Sequence, residues 1–270
     1  MKKTGKFIIL ILGVVLVIIG TVLFFSNKNS KSGAKDANLE KLSIDNKEVK
    51  ELYSYIDHSG DSSANGVFLL TNQKVEVSSL SDDFKMEKSL KFLDTKDFVI
   101  NQNKCTVSIN KDEIDSIMYK LFNNKDYDTS KEYGMFVNGD VDTYSCGGGA
   151  ILKYNGTDAF EGSLFEGGGY VGANDPYQTR LYKAYKNNKT KEIFLLEKVL
   201  YLNENCKEDT CDYEVYKDAD LSQKIGEEKN IAISESHDFF KNYLDKASTI
   251  TYTFKKGKDS YYFFSSQVDK

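Results

Sequence analysis

The 270-residue chain carries 36 lysine and arginine residues against 41 aspartate and glutamate residues, which gives a formal net charge of −5. Hydrophobic residues make up 40% of the chain and aromatic residues 13%, which is enough for a packed core and excludes a wholly disordered chain. Arg180 is the only arginine. An acidic chain without an arginine cluster argues against nucleic acid as a partner, because such binding depends on cations that contact phosphates.

An uncharged, almost wholly apolar segment lies near the start of the chain. Residues 7–25 read FIILILGVVLVIIGTVLFF, and at ~1.5 Å per residue they make about 28 Å of helix, the thickness of a bilayer's hydrocarbon core. A cleaved signal peptide has a shorter apolar region that ends at small residues, whereas Phe24 and Phe25 lead directly into a polar stretch. The sequence therefore predicts a single transmembrane helix that acts as an uncleaved signal anchor in the lipid bilayer.

The orientation of this anchor follows from the size of its two flanks. Lysines lie on both sides of it, so the flanking charges alone do not decide. Residues 1–6 form only a short tip, expected in the cytoplasm, while the larger part beyond the anchor contains all four cysteines and is expected outside. Residues 1–37 hold six lysines and one aspartate, so 36 − 6 cations and 41 − 1 anions leave the outer part with a charge of −10.

The outer part is expected to be one α+β domain. Residues 26–38 have no apolar periodicity and predict a flexible linker. Residues 39–270 contain no second long polar tract and predict one extracytoplasmic domain, with a division into two lobes near residue 103 left open. The expected architecture is a mainly antiparallel sheet with about four flanking helices.

Helical spacing of apolar residues predicts those four helices. They are a helix that starts at Asp45 or Asn46 and runs through Asp57, one over Ser81–Leu93, one over Lys111–Phe122 after an Asn110 cap, and one over Ser234–Lys246 with Ser234 or Ser236 as cap.

Alternation of apolar and polar residues predicts the strands. They are Lys104–Ile109, Tyr133–Val137, Val141–Cys146, Ala150–Tyr154, Leu181–Tyr185, Ile193–Leu202, Tyr213–Lys217 and a final hairpin of Thr249–Phe254 with Ser260–Ser265. For Ile193–Leu202 a buried helix stays open as an alternative, because periodicity alone cannot separate the two.

The final hairpin has aromatic residues on both faces of its return strand. Either a helix covers the second face or the face is exposed and binds a partner. The candidate aromatic binding patch comprises Tyr252, Tyr261, Tyr262 and Phe264.

The four cysteines are expected to pair outside the cytoplasm. Cys206 and Cys211 flank a polar tip between two apolar runs, which is the geometry of a hairpin that a disulfide closes. Cys105 and Cys146 would then form the second bridge.

The sequence contains no assembled catalytic, cofactor or metal motif. A nucleophilic Cys146 would need His237 or the other histidine, His58, as its base, and nothing in the sequence brings them together. Gly167, Gly169 and Gly172 match the spacing of a dinucleotide motif, but a turn signal follows where a helix is required. No cofactor or metal is expected.

These observations favour a membrane-anchored binding module over an enzyme. The abundance of Lys, Asn, Ile and Tyr beside one proline and one arginine is typical of a low-GC bacterium, so the module is expected in a bacterial cell envelope. Its expected partner is a protein or an envelope glycan. The alternative is an envelope hydrolase that uses carboxylates or the Cys146–His237 pair.

Overall fold

The computed structural model describes residues 38–56, 68–136, 146–165, 176–233 and 236–269. The predicted transmembrane segment 7–25, the cytoplasmic tip 1–6 and all but the last residue of the predicted linker lie outside these ranges. Within the ranges, no helix has both the length and the apolar character that crossing a bilayer requires.

The described chain forms thirteen strands and five α-helices, with short 3₁₀ turns at Val77–Ser79 and Thr95–Asp97. In chain order the elements are β1 (Leu39–Leu42), α1 (Lys47–Ser54), α2 (Phe68–Thr71), β2 (Lys74–Glu76), α3 (Asp82–Lys91), β3 (Phe98–Asn101), β4 (Thr106–Asn110), α4 (Lys111–Phe122), β5 (Glu132–Phe136), β6 (Gly149–Tyr154), β7 (Ala159–Phe165), β8 (Tyr177–Asn187), β9 (Ile193–Lys207), β10 (Thr210–Tyr216), β11 (Lys224–Ala232), α5 (Phe240–Tyr243), β12 (Ser248–Lys256) and β13 (Tyr261–Asp269).

The strands form two sheets in which every described pairing is antiparallel. The large sheet has the order β1-β8-β9-β12-β13-β2, and β10 and β11 extend it beside the second half of β9. The small sheet has the order β3-β4-β7-β6-β5. The expected α+β architecture with a mainly antiparallel sheet is thus confirmed at this level.

A layer of helices lies between the two sheets. Helix α4 contacts β13 of the large sheet and β4 of the small sheet, and α3 packs beside α4 and against β5. Buried residues from all three layers form one main core, among them Met118 of α4, Phe263 of β13 and Phe160 of β7. Residue 103, the position of the alternative division into two lobes, lies in the turn between β3 and β4.

Side-chain caps fix the first residue of three helices, and each start lies within one residue of the start that the sequence predicts. Asn46 accepts a hydrogen bond from the Glu48 amide at 2.8 Å, Ser81 from the Phe84 amide at 3.1 Å, and Asn110 from the Asp112 amide at 2.8 Å. Helix α4 therefore covers the predicted range Lys111–Phe122.

The predicted helix over Ser234–Lys246 is wrong in its extent. Residues 234 and 235 lie outside the described ranges, and the helix is only α5, Phe240–Tyr243. The segment before it is held on the sheet instead, because the Phe239 amide donates to Oε1 of Gln178 at 3.0 Å. The segment after it turns into β12 at Ser248.

A smaller second core lies on the opposite face of the large sheet. It contains Leu200 and Leu202 of β9, Tyr213 and Val215 of β10, and the side chains of Phe239, Phe240, Tyr243 and Ala247. Strand β9 thus contributes side chains from both of its faces to the two cores, which explains why the apolar residues of the run Ile193–Leu202 do not alternate with polar ones. The strand prediction for this run is correct.

The predicted strand Val141–Cys146 falls on residues outside the described ranges, except for Cys146, which lies in a turn.

Candidate functional site

The predicted aromatic patch does not form as one surface. Tyr252 and Tyr261 are buried in the main core, with 0% and 5% of their surfaces exposed, whereas Tyr262 and Phe264 are half-buried on the other side of the large sheet. The reason is the register of the hairpin, which places Tyr252 on the same side as its neighbours Ile250 and Phe254, toward the helices. The helix layer covers that side, and only the opposite side remains a candidate.

The face of the large sheet that carries Tyr262 is the candidate binding surface, and we call it the outer platform. Strand register places the following side chains on it: Lys183 and Tyr185 of β8, Phe194, Leu196 and Lys198 of β9, Thr251, Thr253 and Lys255 of β12, and Tyr262, Ser265, Gln267 and Asp269 of β13.

Two irregularities in the strands add further aromatic residues to the outer platform. The pairing of β8 with β9 shifts between Leu181 and Lys183, so Tyr182 is an extra residue there. The pairing of β12 with β13 shifts at Phe254, which leaves Phe264 as the extra residue of β13. Tyr182 is 38% exposed and Phe264 is half-buried.

Lysine side chains lie against these extra aromatic rings. The Nζ atom of Lys183 is 4.3 Å and that of Lys198 is 5.7 Å from the ring centre of Tyr182. The Nζ atom of Lys255 is 3.3 Å from the ring centre of Phe264. A cation beside an aromatic face is attracted by the ring's electron density, so these contacts hold the lysines at the surface of the platform.

The charged groups at one end of the outer platform are partly buried. Burial lowers the pKa of the Lys198 ammonium, an effect that the nearby Tyr182 and the carboxylates of Asp245 and Asp269 oppose. Burial raises the pKa of the Asp269 carboxyl, and Lys198 opposes this. The two groups stabilise each other's charged forms in a setting that disfavours both charges.

The segment that contains α5 forms the border of the outer platform. Lys198 donates to the carbonyl oxygen of Ala247 at 3.1 Å, and Arg180 forms an ion pair with Asp238 at 2.7 Å. Residues of this segment cover the second core, while the platform continues beyond Lys198 toward Leu196 and Phe194.

The Cys146–His237 pair considered from the sequence is not available as a catalytic dyad. Cys146 is bonded to Cys105, and a disulfide sulfur is not the thiolate that such a mechanism needs. His237 instead lies 2.5 Å from Oε2 of Glu228, whose other oxygen accepts from Asn242 at 2.8 Å. The histidine therefore belongs to the hydrogen bonds that hold the α5 segment.

Both cysteine pairs named in the sequence analysis are bonded. Cys206 and Cys211 lie directly opposite each other in the hairpin of β9 and β10, and Cys105–Cys146 joins the turn after β3 to the residues before β6. The described residues offer one close grouping of metal-ligand side chains, Glu204 with Cys206 and Cys211. It does not fit a metal ion, because two of its three ligand atoms are disulfide sulfurs.

Glu197 is a fully buried carboxyl group in the middle of β9, on the side of the main core. It accepts hydrogen bonds from the hydroxyl of Tyr53 in α1 and, at 2.6 Å, from the hydroxyl of Tyr252. Burial, with Glu197 nearby, raises the pKa of Tyr252 well above its usual value. Since a substrate cannot reach a carboxyl with 0% exposure, we assign this cluster to the attachment of α1 to the sheet.

A groove of about 540 Å³ lies at the edge of the large sheet, between β1 and the end of the final hairpin. Its lining includes Glu40 and Glu48 beside Lys186, Lys191 and Lys256. Both carboxylates are exposed, and Glu48 lies 4.0 Å from Lys186. A carboxylate pair that cleaves glycosides needs one acid in a shielded environment, so the groove does not match that chemistry.

Three surface residues of the candidate site, Tyr182, Lys183 and Tyr185, could not be predicted from the sequence. Strict alternation in Leu181–Tyr185 would place Leu181, Lys183 and Tyr185 on one face, whereas the bulge returns Ala184 to the core and turns Lys183 and Tyr185 outward. No residue signals this bulge in advance, since neither glycine nor proline is present in the run.

Three comparisons, with protein-family models, with curated proteins and with solved structures, give no match to this chain.

Proposed function

We propose that the protein is a non-catalytic binding module of a bacterial cell envelope, anchored in the membrane by residues 7–25, and that the outer platform is its binding surface. The observation that carries the proposal is the group of aromatic rings on one face of the large sheet, with Tyr182 exposed and Tyr262 and Phe264 half-buried, interleaved with lysines. Aromatic side chains in such positions supply large contact area to a ligand at low entropic cost.

The proposed location of the domain on the outer side of the cell membrane rests on two features. The 19 uncharged residues 7–25 have the length and composition of a spanning helix. The two disulfides are consistent with an oxidising compartment, since thiols in the bacterial cytosol are kept reduced. With this orientation, residues 1–6 lie in the cytoplasm and residues 39–270 face the envelope.

Capture of envelope material by the full chain tests the proposal. The protein, purified in detergent micelles and immobilised through its N-terminus so that Asp269 stays free, is incubated with solubilised cell envelope. We expect Tyr182→Ala and Tyr262→Ala each to reduce the captured amount by about tenfold, the effect of one lost aromatic anchor of about 1.4 kcal/mol.

A matched control is available on the small sheet. Phe165 is 44% exposed and belongs to β7, far from the outer platform in the layer order. Phe165→Ala should leave capture unchanged, and circular dichroism of all three variants verifies that they are folded. Equal capture by the wild type and both platform variants would reject the platform as the binding surface.

A further inference from the structure

The charge of the outer platform is opposite to that of the domain around it. The platform carries Lys183, Lys198 and Lys255, and the β1 residue Lys41 lies next to Tyr185 in the same row. The acids on the same face are Asp269 and Glu192, the latter 3.9 Å from Lys255. Arg180, which is in register with Lys198, and its ion-pair partner Asp238 cancel. The other four cations and two anions give 4 − 2 = +2, on a part of the chain whose total charge is −10.

This composition does not resemble the centre of a protein–protein interface. The buried centre of such interfaces is depleted in lysine and enriched in arginine, methionine and aromatic residues. The platform has three lysines among its rows and no methionine, and its one arginine, Arg180 beside Lys198, is held in an ion pair by Asp238 at the border. The aromatic residues alone would suit a protein partner, but the lysines among them do not.

The same composition suits a chain of sugars that bears acidic groups. The C–H faces of sugar rings pack on aromatic rings such as Tyr182 and Tyr262, and the hydroxyl groups of Thr253 and Ser265 and the amide of Gln267 offer hydrogen bonds to sugar hydroxyls. Lysines beside the rings supply charge-assisted hydrogen bonds to carboxylate or phosphate groups.

We propose that the ligand of the outer platform is an acidic envelope glycan, a polysaccharide that carries carboxylate or phosphate groups. This inference rests on the proposed function, because it names the ligand class of the same surface. Tyr182 and Tyr262 contact the sugar rings, and Lys183 and Lys255 bind the acidic groups.

The test compares two polysaccharides that differ only in charge. The full chain in detergent micelles is titrated with dextran and with carboxymethyl-dextran, and binding is followed by biolayer interferometry. We expect carboxymethyl-dextran to bind at least about tenfold more tightly than dextran, since each charge-assisted contact adds about a factor of ten. We expect that difference to shrink as salt is added.

Substitution of the platform lysines locates the effect. Lys183→Gln with Lys255→Gln should remove the preference for carboxymethyl-dextran. Lys153→Gln should not, since Lys153 is an exposed lysine of the small sheet. None of these substitutions creates a cavity in the core. A loss of binding in the platform variant would therefore result from the lost charge and not from unfolding.

The remaining outcomes separate this inference from the proposed function. Equal binding of dextran and carboxymethyl-dextran, reduced by Tyr182→Ala, would overturn the acidic ligand and keep the platform as a glycan-binding surface. A second outcome would be that neither polysaccharide binds, while the platform captures an envelope protein or vesicles that contain anionic lipid. This outcome would also overturn the acidic glycan as ligand, and the platform would remain the binding surface. Capture that is unchanged by Tyr182→Ala would overturn both the acidic glycan as ligand and the platform as binding surface.

Discussion

At the scale of single residues, two buried serines with opposite hydrogen-bond situations offer a direct comparison. Ser266 lies in the main core opposite Tyr252, with 1% of its surface exposed, and its hydroxyl has no hydrogen-bond partner among the described residues. Ser248, 5% exposed, donates to the carbonyl oxygen of Lys217 at 2.6 Å. A buried hydroxyl without a partner is a cost to the folded state.

We expect Ser266→Ala to raise the free energy of unfolding by about 1 kcal/mol, because the substitution removes an unpaired polar group from the core and leaves almost no cavity. Ser248→Ala should lower it by about 1 kcal/mol, because it leaves the Lys217 carbonyl without its donor. Urea unfolding followed by circular dichroism measures both. A loss of stability in Ser266→Ala as large as that in Ser248→Ala would show that Ser266 has a partner in solution.

Some features of single residues could be predicted from the sequence, and others could not. The pairing of Cys206 with Cys211 is visible in the sequence because the turn between them is local. The burial of Tyr252 follows from its alternation with Ile250 and Phe254, so the strand pattern itself places Tyr252 in the core and not in an exposed patch. The exposure of Tyr182 was not predictable, because it depends on a bulge against β9.

At the scale of elements, the close contact of β6 with β7 depends on one glycine. A Cβ atom on Gly162 of β7 would lie 2.3 Å from the backbone oxygen of Ile151 in β6, and a paired backbone cannot move away without breaking the sheet. Gly134 of the neighbouring strand β5 has no atom within 4 Å of such a position.

We expect Gly162→Ala to lower the free energy of unfolding by roughly 2 to 3 kcal/mol through this overlap. Gly134→Ala should raise it by about 0.5 kcal/mol, because alanine reduces the freedom of the unfolded chain at a site with open space. Both values are available from chemical denaturation. Similar stabilities of the two variants would mean that β6 and β7 pair less closely than the structure has them.

The elements that the sequence predicts correctly are those with local signals. Helix α4 has its cap at Asn110 and a regular apolar stripe, and both are encoded within its own residues. Strand β11 was missed because it pairs only with β10 among the described strands, and it alternates charged residues where an inner strand would have apolar ones. The short extent of α5 depends on Gln178, which is distant in sequence.

At the scale of the whole molecule, the two disulfides close loops of very different length. Cys105 and Cys146 are 41 residues apart and Cys206 and Cys211 are 5 apart. Since a bridge restricts the unfolded chain more when it closes a longer loop, we expect Cys105→Ser with Cys146→Ser to cost about 4 kcal/mol and Cys206→Ser with Cys211→Ser about 2 kcal/mol. Denaturant midpoints of the two double variants measure the difference.

The state of the same cysteines in cells tests the proposed location. When free thiols are alkylated during lysis, a chain with its domain outside the membrane should carry no alkylated cysteine. Alkylation of all four cysteines would place the domain in the reducing cytosol and reject that location.

The arrangement of the large sheet determines when the protein can complete its fold. Strand β9 carries apolar side chains on both faces and forms part of both cores, yet its neighbour β12 follows it by about 40 residues. During synthesis the ribosome releases this strand well before the partner that shields it, and an unshielded apolar strand promotes aggregation. Strand β9 therefore needs protection from contacts with other chains, of the kind that chaperones give, until β12 has been made.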